Sequence, residues 1–433
     1  MKVLNPPKGF RDFTPEEMIV RKKVIALIEE TYISYGFDPI ETPVLEYWDL
    51  LKGKYGEEAE TKLIYYFKDP WSEKWYALRY DLTVPLARFL AKRSFPLPFK
   101  RYHIGRVWRH DRPQRARYRE FWQADADIVG SIYPESDAEV INVTISALRK
   151  IGFNDFKILI NDRKLMETLL GQIIKNGDFF SIYRAVDKLD KIGKEGVVEE
   201  LKRLGLSQEI IEKIFGIIRF KGDLDSLKDF LEETPYYNEE VKEIIDRLEE
   251  IDELLIDKNK IEYSLSLVRG LDYYTGPVWE VKISNVEFPS VGGGGRYDNL
   301  LKIIIGKDLP ATGTSLGIDR LVDAGRELGL FNFDEKTLTK VAVLCMDRRF
   351  YKDCWQITNE LRSNNISAVI DLMRRKFDKQ REYANKKGVR ILVILGEKEF
   401  KEGKATIVDR ELNERMEVPL SQLITMIKDI LSS

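Results

Sequence analysis

Lys100-Arg101-Tyr102-His103-Ile104-Gly105-Arg106-Val107-Trp108-Arg109-His110-Asp111-Arg112-Pro113-Gln114-Arg115-Ala116-Arg117-Tyr118-Arg119-Glu120-Phe121 is the densest constellation in the sequence. Seven arginines fall between positions 101 and 119, and Asp111 is the single acid opposing them. Pro113 and its polar neighbours predict a loop, so the stretch reads as two antiparallel strands, 99–109 and 118–129, around an arginine-rich tip. Side chains alternate faces along a strand. Phe121, Gln123, Asp125 and Asp127 therefore share one face of the second strand, and Trp122, Ala124, Ala126 and Ile128 share the other. The second set can pack on a core. The first sets an amide and two carboxylates beside arginines, which suits a zwitterionic ligand with phosphates, because guanidinium groups bind phosphate oxygens in pairs. Composition alone allows a plainer reading, a solvated hairpin laced with surface ion pairs.

Working outward, Thr14-Pro15-Glu16-Glu17 predicts a capped helix that Gly36 ends, with Val20, Val24, Leu27, Ile28 and Tyr32 at helical spacing. The run 37–46 carries Pro39 and Pro43 and reads as an edge or interface strand. Further strands are expected at 63–67 and 75–79, and a helix at 84–92. If Leu78-Arg79-Tyr80-Asp81-Leu82-Thr83 is extended, alternation puts Asp81 and Thr83 on one face. From about 163 to 258 the texture is charge-rich and helical. Strand signals return at 263–268 and 278–283, and the glycines at 292–295 read as a turn before a helix around 297–304. A final strand and helix follow, with the switch near Gly317. Beyond a linker at 328–339, segments 341–346, 367–371, 389–395 and 405–409 read as strands interleaved with helices, implying a small α/β domain with a mainly parallel sheet.

A chain of 433 residues exceeds one ordinary core and implies two or three domains. Its 43% apolar content suffices to fill them. No apolar stretch approaches the roughly 20 residues of a membrane helix, and the first residues lack the apolar core of a secretory signal. Cys345 and Cys354 offer neither a disulfide framework nor a zinc pattern. These features fit a soluble cytoplasmic protein without membrane partners. A formal net charge of −2 does not exclude a nucleic-acid partner, since a local basic surface is what binds phosphate. The abundance of charge, 33% and rich in Lys and Glu, is compatible with a heat-adapted source.

The order of these segments resembles the class II aminoacyl-tRNA synthetases. Arg109-His110-Asp111 ahead of Tyr118-Arg119-Glu120-Phe121 is similar to their motif 2. Thr312-Gly313-Thr314-Ser315-Leu316-Gly317-Ile318-Asp319-Arg320-Leu321 is similar to motif 3, and 37–46 with Pro43 to motif 1, which forms a dimer interface. Within that class, Leu267-Val268-Arg269-Gly270-Leu271-Asp272-Tyr273-Tyr274-Thr275-Gly276 and Gly293-Gly294-Gly295-Arg296-Tyr297-Asp298 resemble the two signatures of the histidyl-tRNA synthetase family. Arg79-Tyr80-Asp81-Leu82-Thr83 resembles its archaeal and eukaryotic branch, and Asp127 stands where many members carry Glu.

The resemblance implies an α+β fold: an antiparallel catalytic sheet with helices at 1–162 and 259–327, a helical insertion at 163–258 and an anticodon-binding α/β domain at 340–433. It implies ATP-dependent activation of L-histidine to histidyl-adenylate with release of pyrophosphate, then transfer to the 3′ end of tRNA(His), by a homodimer using ATP with Mg2+ and no resident metal or prosthetic group. Histidine would meet Asp81, Thr83, Arg109, Gln123, Asp127, Arg269, Tyr273 and Tyr274; ATP would meet Arg109, Asp111, Phe121 and Arg320. Arg109 and Arg269 would be catalytic, because adenylate formation is an in-line attack that needs positioning and charge stabilisation more than a general base. The tyrosine pair can wall a flat imidazole and hydrogen-bond a ring nitrogen. Neither His103 nor His110 is needed. Arg112, Arg115, Arg117, Arg374 and Arg375 are candidates for tRNA, the last two within a basic stretch at 374–390 that is otherwise an ordinary solvated helix face. The competing readings are a catalytically silent paralogue, as a regulatory subunit of histidine biosynthesis or a kinase-linked sensor of uncharged tRNA, and a synthetase for threonine, proline or glycine.

Overall fold

The computed structural model describes residues 4–53, 62–174, 178–268, 273–287 and 289–432. They form two compact units, 1–12 with 21–331 and 13–20 with 332–433. The first helix, Pro15–Ser34, begins as its sequence requires: the Glu17 N–H donates to Thr14 Oγ1 and the Thr14 N–H to Glu17 Oε2. Gly36 follows at φ +74°, a left-handed conformation that glycine adopts without strain.

Among the described residues of the larger unit, nine strands form one sheet. Their spatial order is Asp38–Pro39, Phe99–Trp108, Glu120–Val129, Ala311–Gly317, Gly292–Arg296, Pro277–Ile283, Phe156–Asp162, Ile261–Ser264 and Lys221–Gly222. Pairing is antiparallel except at Asp38–Pro39 with Phe99–Trp108 and at Phe156–Asp162 with Ile261–Ser264. Of the run 37–46 only Asp38–Pro39 joins this sheet, at its edge, where Pro39 removes no interior ladder bond; Pro43 lies outside any strand. One face of the sheet is closed by the helix Pro134–Ile151. Thr144 Oγ1 donates across to Thr314 Oγ1 at 2.9 Å, and Trp279 and Ile160 are buried beneath. The opposite face carries Arg101, His103, Gln123, Asp125, Asp127 and Ser315, in the alternation read from the sequence.

The glycine run is not a turn. Gly292–Arg296 is a central strand between Pro277–Ile283 and Ala311–Gly317. Its glycines answer a shortage of space. A Cβ on Gly294 would collide with the Gly313 carbonyl and meet Trp279 at 2.7 Å, and one on Gly295 would meet the Tyr274 ring at 2.7 Å. Residue types that favour turns were here selected by close strand packing. The following helix is Asp298–Ile305. Residues 163–258 contribute the helices Arg163–Ile173, Phe179–Val186, Leu189–Arg203, Gln208–Ile218, Leu224–Glu232 and Glu239–Glu253, with Lys221–Gly222 between them.

The smaller unit holds a sheet ordered Ala368–Ile370, Val341–Cys345, Ile391–Leu395, Lys404–Asp409 and Glu414–Pro419. The expected mainly parallel sheet is mixed: the first three strands run parallel, and the last two turn back antiparallel through a hairpin with Asn413 at φ +56°. Glu414–Pro419 escapes a hydrophobicity reading because it is a charged, largely exposed edge strand. Both faces of the sheet are covered, one by a core containing Val343, Leu361, Val393 and Ile427, the other by Ala342, Leu344, Ala384 and Leu392.

The helix Ile318–Glu327 holds the hairpin 99–129 through three acids spaced i, i+4, i+8, which places them on one helix face. Asp319 accepts the Trp122 N–H at 2.8 Å and pairs with Arg11 at 2.5 Å and Arg21 at 2.9 Å. Asp323 accepts the Tyr118 hydroxyl at 2.6 Å, and Glu327 pairs with Arg115 at 2.5 Å. Asp319 and Arg21 are each 2% exposed, so removing one leaves the other charged and dry. Asp319→Ala is expected to cost about 3–5 kcal/mol of unfolding free energy in denaturant titration, against about 1 kcal/mol or less for Glu327→Ala at the exposed end. Equal losses for the two variants would contradict this account.

Candidate active site

The hairpin register fixes which side chains meet. Arg101 stands opposite Asp127, His103 opposite Asp125, and Gly105 opposite Gln123. On the other flank Gly313 pairs with Asp127 and Ser315 with Asp125. Arg101 Nη2 lies 2.6 Å from Asp127 Oδ2, while the Tyr297 hydroxyl donates to Asp127 Oδ1. A Cβ at position 313 would collide with that same oxygen, so glycine is required there for the carboxylate to lie flat on the sheet. Gln123 Nε2 donates to Ser315 Oγ at 2.6 Å.

Burial dominates the electrostatics. It pushes the Asp125 carboxyl up to about 7, against the pull of the Arg101 guanidinium. Burial raises Asp127 too, with Arg101 and the Tyr297 hydroxyl opposing it. Burial, helped by Arg101 and Arg79, drives His103 down to about 3, so this ring is neutral. The Tyr297 and Tyr273 hydroxyls are raised far above their ordinary range by burial and stay protonated donors.

Asp81 and Thr83 are not extended. Thr83 opens the helix Thr83–Ala91, and Asp81 Oδ1 caps it by accepting the N–H groups of Thr83 at 3.2 Å and Val84 at 3.1 Å. An Asp side chain that accepts from N–H groups two and three residues on caps the helix, and that local bond outweighs strand alternation. The Thr83 and Tyr273 hydroxyls are hydrogen-bonded. Tyr273 is buried edge-on to Tyr297, with ring centroids 6.0 Å apart, and Tyr274 lies 5.0 Å away at the half-exposed side. Asp81, Thr83, Gln123, Asp127, Tyr273 and Tyr274 thus border one polar region of the sheet face. Arg269, with 270–272, lies outside the described residues.

The second end is built from arginines held by backbone carbonyls. Arg109 Nε donates to Tyr80 O at 3.2 Å, and its guanidinium lies 4.4 Å from the Tyr80 ring centre and 5.3 Å from that of Phe121. Arg320 donates to Ala116 O at 2.9 Å and Ser290 O at 2.6 Å. Asp111 pairs with Arg117 at 2.5 Å. At the hairpin tip Arg115 is engaged by Glu327, and Arg112 is exposed. In the smaller unit Arg375 pairs with Asp371 at 2.5 Å, and Arg374 is exposed with a left-handed φ of +54°. Among the described residues no cluster of three His, Cys, Asp or Glu side chains could hold a metal ion, and no helix is long and apolar enough to cross a membrane.

Four residues packed into this region carry no site assignment in the sequence reading: Arg101, His103, Tyr297 and Ser315. Alternation along the first strand was signal enough for Arg101 and His103, once paired with the acids at 125 and 127.

Residues 9–321 match the family model described as histidyl-tRNA synthetase, and residues 340–430 match that of an anticodon binding domain. Histidine–tRNA ligase of Aeropyrum pernix is 48% identical, covering 99% of this chain and 98% of that one. The Korarchaeum cryptofilum histidine–tRNA ligase is 49% identical over 98% and 99%. The crystal structure of histidyl-tRNA synthetase from a Nostoc species superposes with a TM-score of 0.83 at 29% identity, covering 99% of this chain and all of that one.

Asp125 gives a pH test of the site's electrostatics. Its folded pKa, about 7, lies above the ordinary carboxylate value, so the folded state holds the proton more tightly. Stability from this group is therefore fully present below about pH 4 and is lost as pH rises towards 7. Asp125→Asn is expected to flatten the fall of melting temperature between about pH 4 and pH 7. An unchanged slope would place the proton elsewhere.

Proposed function

The chain belongs to the histidyl-tRNA synthetase family, and from that premise we propose that it activates L-histidine with ATP and transfers the histidyl group to the 3′ end of tRNA(His). The observation that carries the reading is the polar region around Asp81, Gln123, Asp127, Tyr273 and Tyr297, enclosed by the sheet and continuous along the same hairpin with Arg109. Three buried carboxyl groups, Asp81, Asp125 and Asp127, lie there beside two buried guanidinium groups, Arg79 and Arg101, and an entering ammonium group would favour the ionised form of Asp125 that burial disfavours.

In this reading Asp81, Thr83 and Gln123 hold the α-amino group, and Tyr273, Tyr274 and Asp127 receive the ring. Arg109 holds the α-phosphate beside the substrate carboxylate, Arg320 the γ-phosphate, and Phe121 the adenine, with Asp111 alongside. The nucleotide enters as its Mg2+ complex, since that small hard cation is held largely by phosphate oxygens and water. Attack of the histidine carboxylate on the α-phosphorus expels pyrophosphate. Arginines fixed by backbone carbonyls stabilise the developing charge with little reorganisation. Arg269 is assigned to the attacking carboxylate and the α-phosphate.

The domain plan we infer is catalytic 1–162 and 259–327, insertion 163–258, linker 328–339 and anticodon-binding 340–433. Arg112 and Arg374 are exposed for RNA, whereas phosphates would have to displace the acids now on Arg115, Arg117 and Arg375. A homodimer is supported by the exposed Val44, Leu45 and Tyr47 beside the exposed Tyr66, Phe67 and Trp75, and the cytoplasm is the setting we infer from the family's part in translation.

Pyrophosphate exchange is expected with histidine and with none of the other nineteen amino acids; exchange with another would overturn the assignment. Arg269→Ala is expected to cut the exchange rate by about 100-fold or more while histidine binding changes far less, the pattern of a group used in the transition state. Unaltered exchange would remove Arg269 from the chemistry.

A further inference from the structure

One buried cation has no task in the scheme above. Arg101 has no solvent exposure, a costly state for a guanidinium group. Its Nη2 meets Asp127 Oδ2 at 2.6 Å and Leu82 O at 3.3 Å, while Nε and Nη1 have no hydrogen-bond partner. The pair is set by strand register, with Arg101 directly opposite Asp127. Tyr297 occupies one lone pair of the other carboxylate oxygen. Each oxygen of a carboxylate accepts two hydrogen bonds, so Asp127 can still take an N–H from a ligand.

We propose that Arg101 is a specificity-determining positioning residue: by neutralising Asp127 it makes the ring end of the site select an uncharged imidazole over an imidazolium. This rests on histidine being the substrate. A bare Asp127 would favour a cation. Paired with Arg101 it carries no net charge, and an imidazolium would meet the guanidinium across a single carboxylate. A neutral ring donates its N–H to Asp127 without that repulsion. The other charged or titratable groups around Asp127 and Arg101 are His103 and Asp125 on the sheet face, Arg79, Asp81 at the start of the helix Thr83–Ala91, Tyr273, Tyr297, and Tyr32 of the first helix. His103 is neutral, and the tyrosines stay protonated because burial raises them. Asp125 titrates near 7 and must be controlled for.

The control is an amino acid with a 1,2,4-triazole in place of imidazole, whose ring stays neutral from pH 6 to 8. Pyrophosphate exchange of the full-length protein would be measured with both amino acids at pH 6 and pH 8. For the unaltered protein the histidine KM should rise about fourfold more than the triazole KM on going to pH 6, the ratio set by an imidazole pKa near 6.5. Any effect of Asp125 is common to both ligands and cancels. Arg101→Met should raise both KM values at pH 8 by on the order of 10- to 100-fold, leave the ATP KM within about twofold, and reverse the pH preference for histidine. Arg101→Lys should restore the original pattern. A pH-independent KM ratio in the unaltered protein overturns the proposal even if Arg101→Met does not fold. Equal rises in the histidine and ATP KM values overturn it too. Absence of exchange between histidine and the unaltered protein would instead sink the functional reading itself.

Discussion

The carboxylate of Asp319 is the point on which the arginine end of the site depends. It is the first acid of the helix Ile318–Glu327 and accepts the backbone N–H of Trp122, one residue beyond Phe121. Arg11 and Arg21 close on the same carboxylate, so a dry acid, two cations and a strand amide share one locus. Arg320, the next residue, is thereby aimed at the carbonyls of Ser290 and of Ala116, the latter in the tip of the hairpin that carries Arg109. A single helix terminus thus sets the spacing of two arginines that lie 211 positions apart in sequence, 109 to 320. Buried ion clusters of this kind are poor sources of net stability, but they are intolerant of losing one member. That intolerance is what a positioning device needs.

The other end depends on a steric constraint. Two adjacent strands leave no room for a Cβ: on Gly295 or Gly313 it would strike the Tyr274 ring or Asp127 on the site face, and on Gly294 the Gly313 carbonyl and Trp279 on the other. Glycine weakens a strand by entropy and by lost side-chain packing. Here the weakness is offset by the flanking strands, whose Trp279 and Thr314 fill the opposite face. The result is a flat floor on which Tyr274 and Asp127 can lie, with the polar atoms of neighbouring strands in register beneath a ligand.

Much of this was legible in the sequence, for identifiable reasons. The hairpin 99–129 was readable because period-two alternation sorts Phe121, Gln123, Asp125 and Asp127 from Trp122, Ala124, Ala126 and Ile128 without tertiary information. The first helix was readable because its capping box is local. What failed required knowledge of neighbours. Gly292–Arg296 looks like a turn until the strands on either side are known. Asp81 and Thr83 look extended until the cap is seen. The strand Glu414–Pro419 carries an edge's charges, not a core's apolar residues. Arg101 was hidden among seven arginines, and composition cannot say which one points inward.

That last distinction explains how one loop serves two purposes. Arg112, Arg115 and Arg117 are at or near the surface, where ion pairs are worth little and exchange readily with an incoming anion. Arg101 on the strand below, and Arg109 just past its end, have fixed partners and restricted access to water. Interaction strength rises as the local dielectric falls, so the same side chain type grades along the hairpin from an adaptable contact to a fixed charge. Loop arginines can meet ligands of varied shape. Arg101 and Arg109 must meet one geometry, and each is fixed for it, Arg101 by the carboxylate of Asp127 opposite it in the register and Arg109 by the carbonyl of Tyr80.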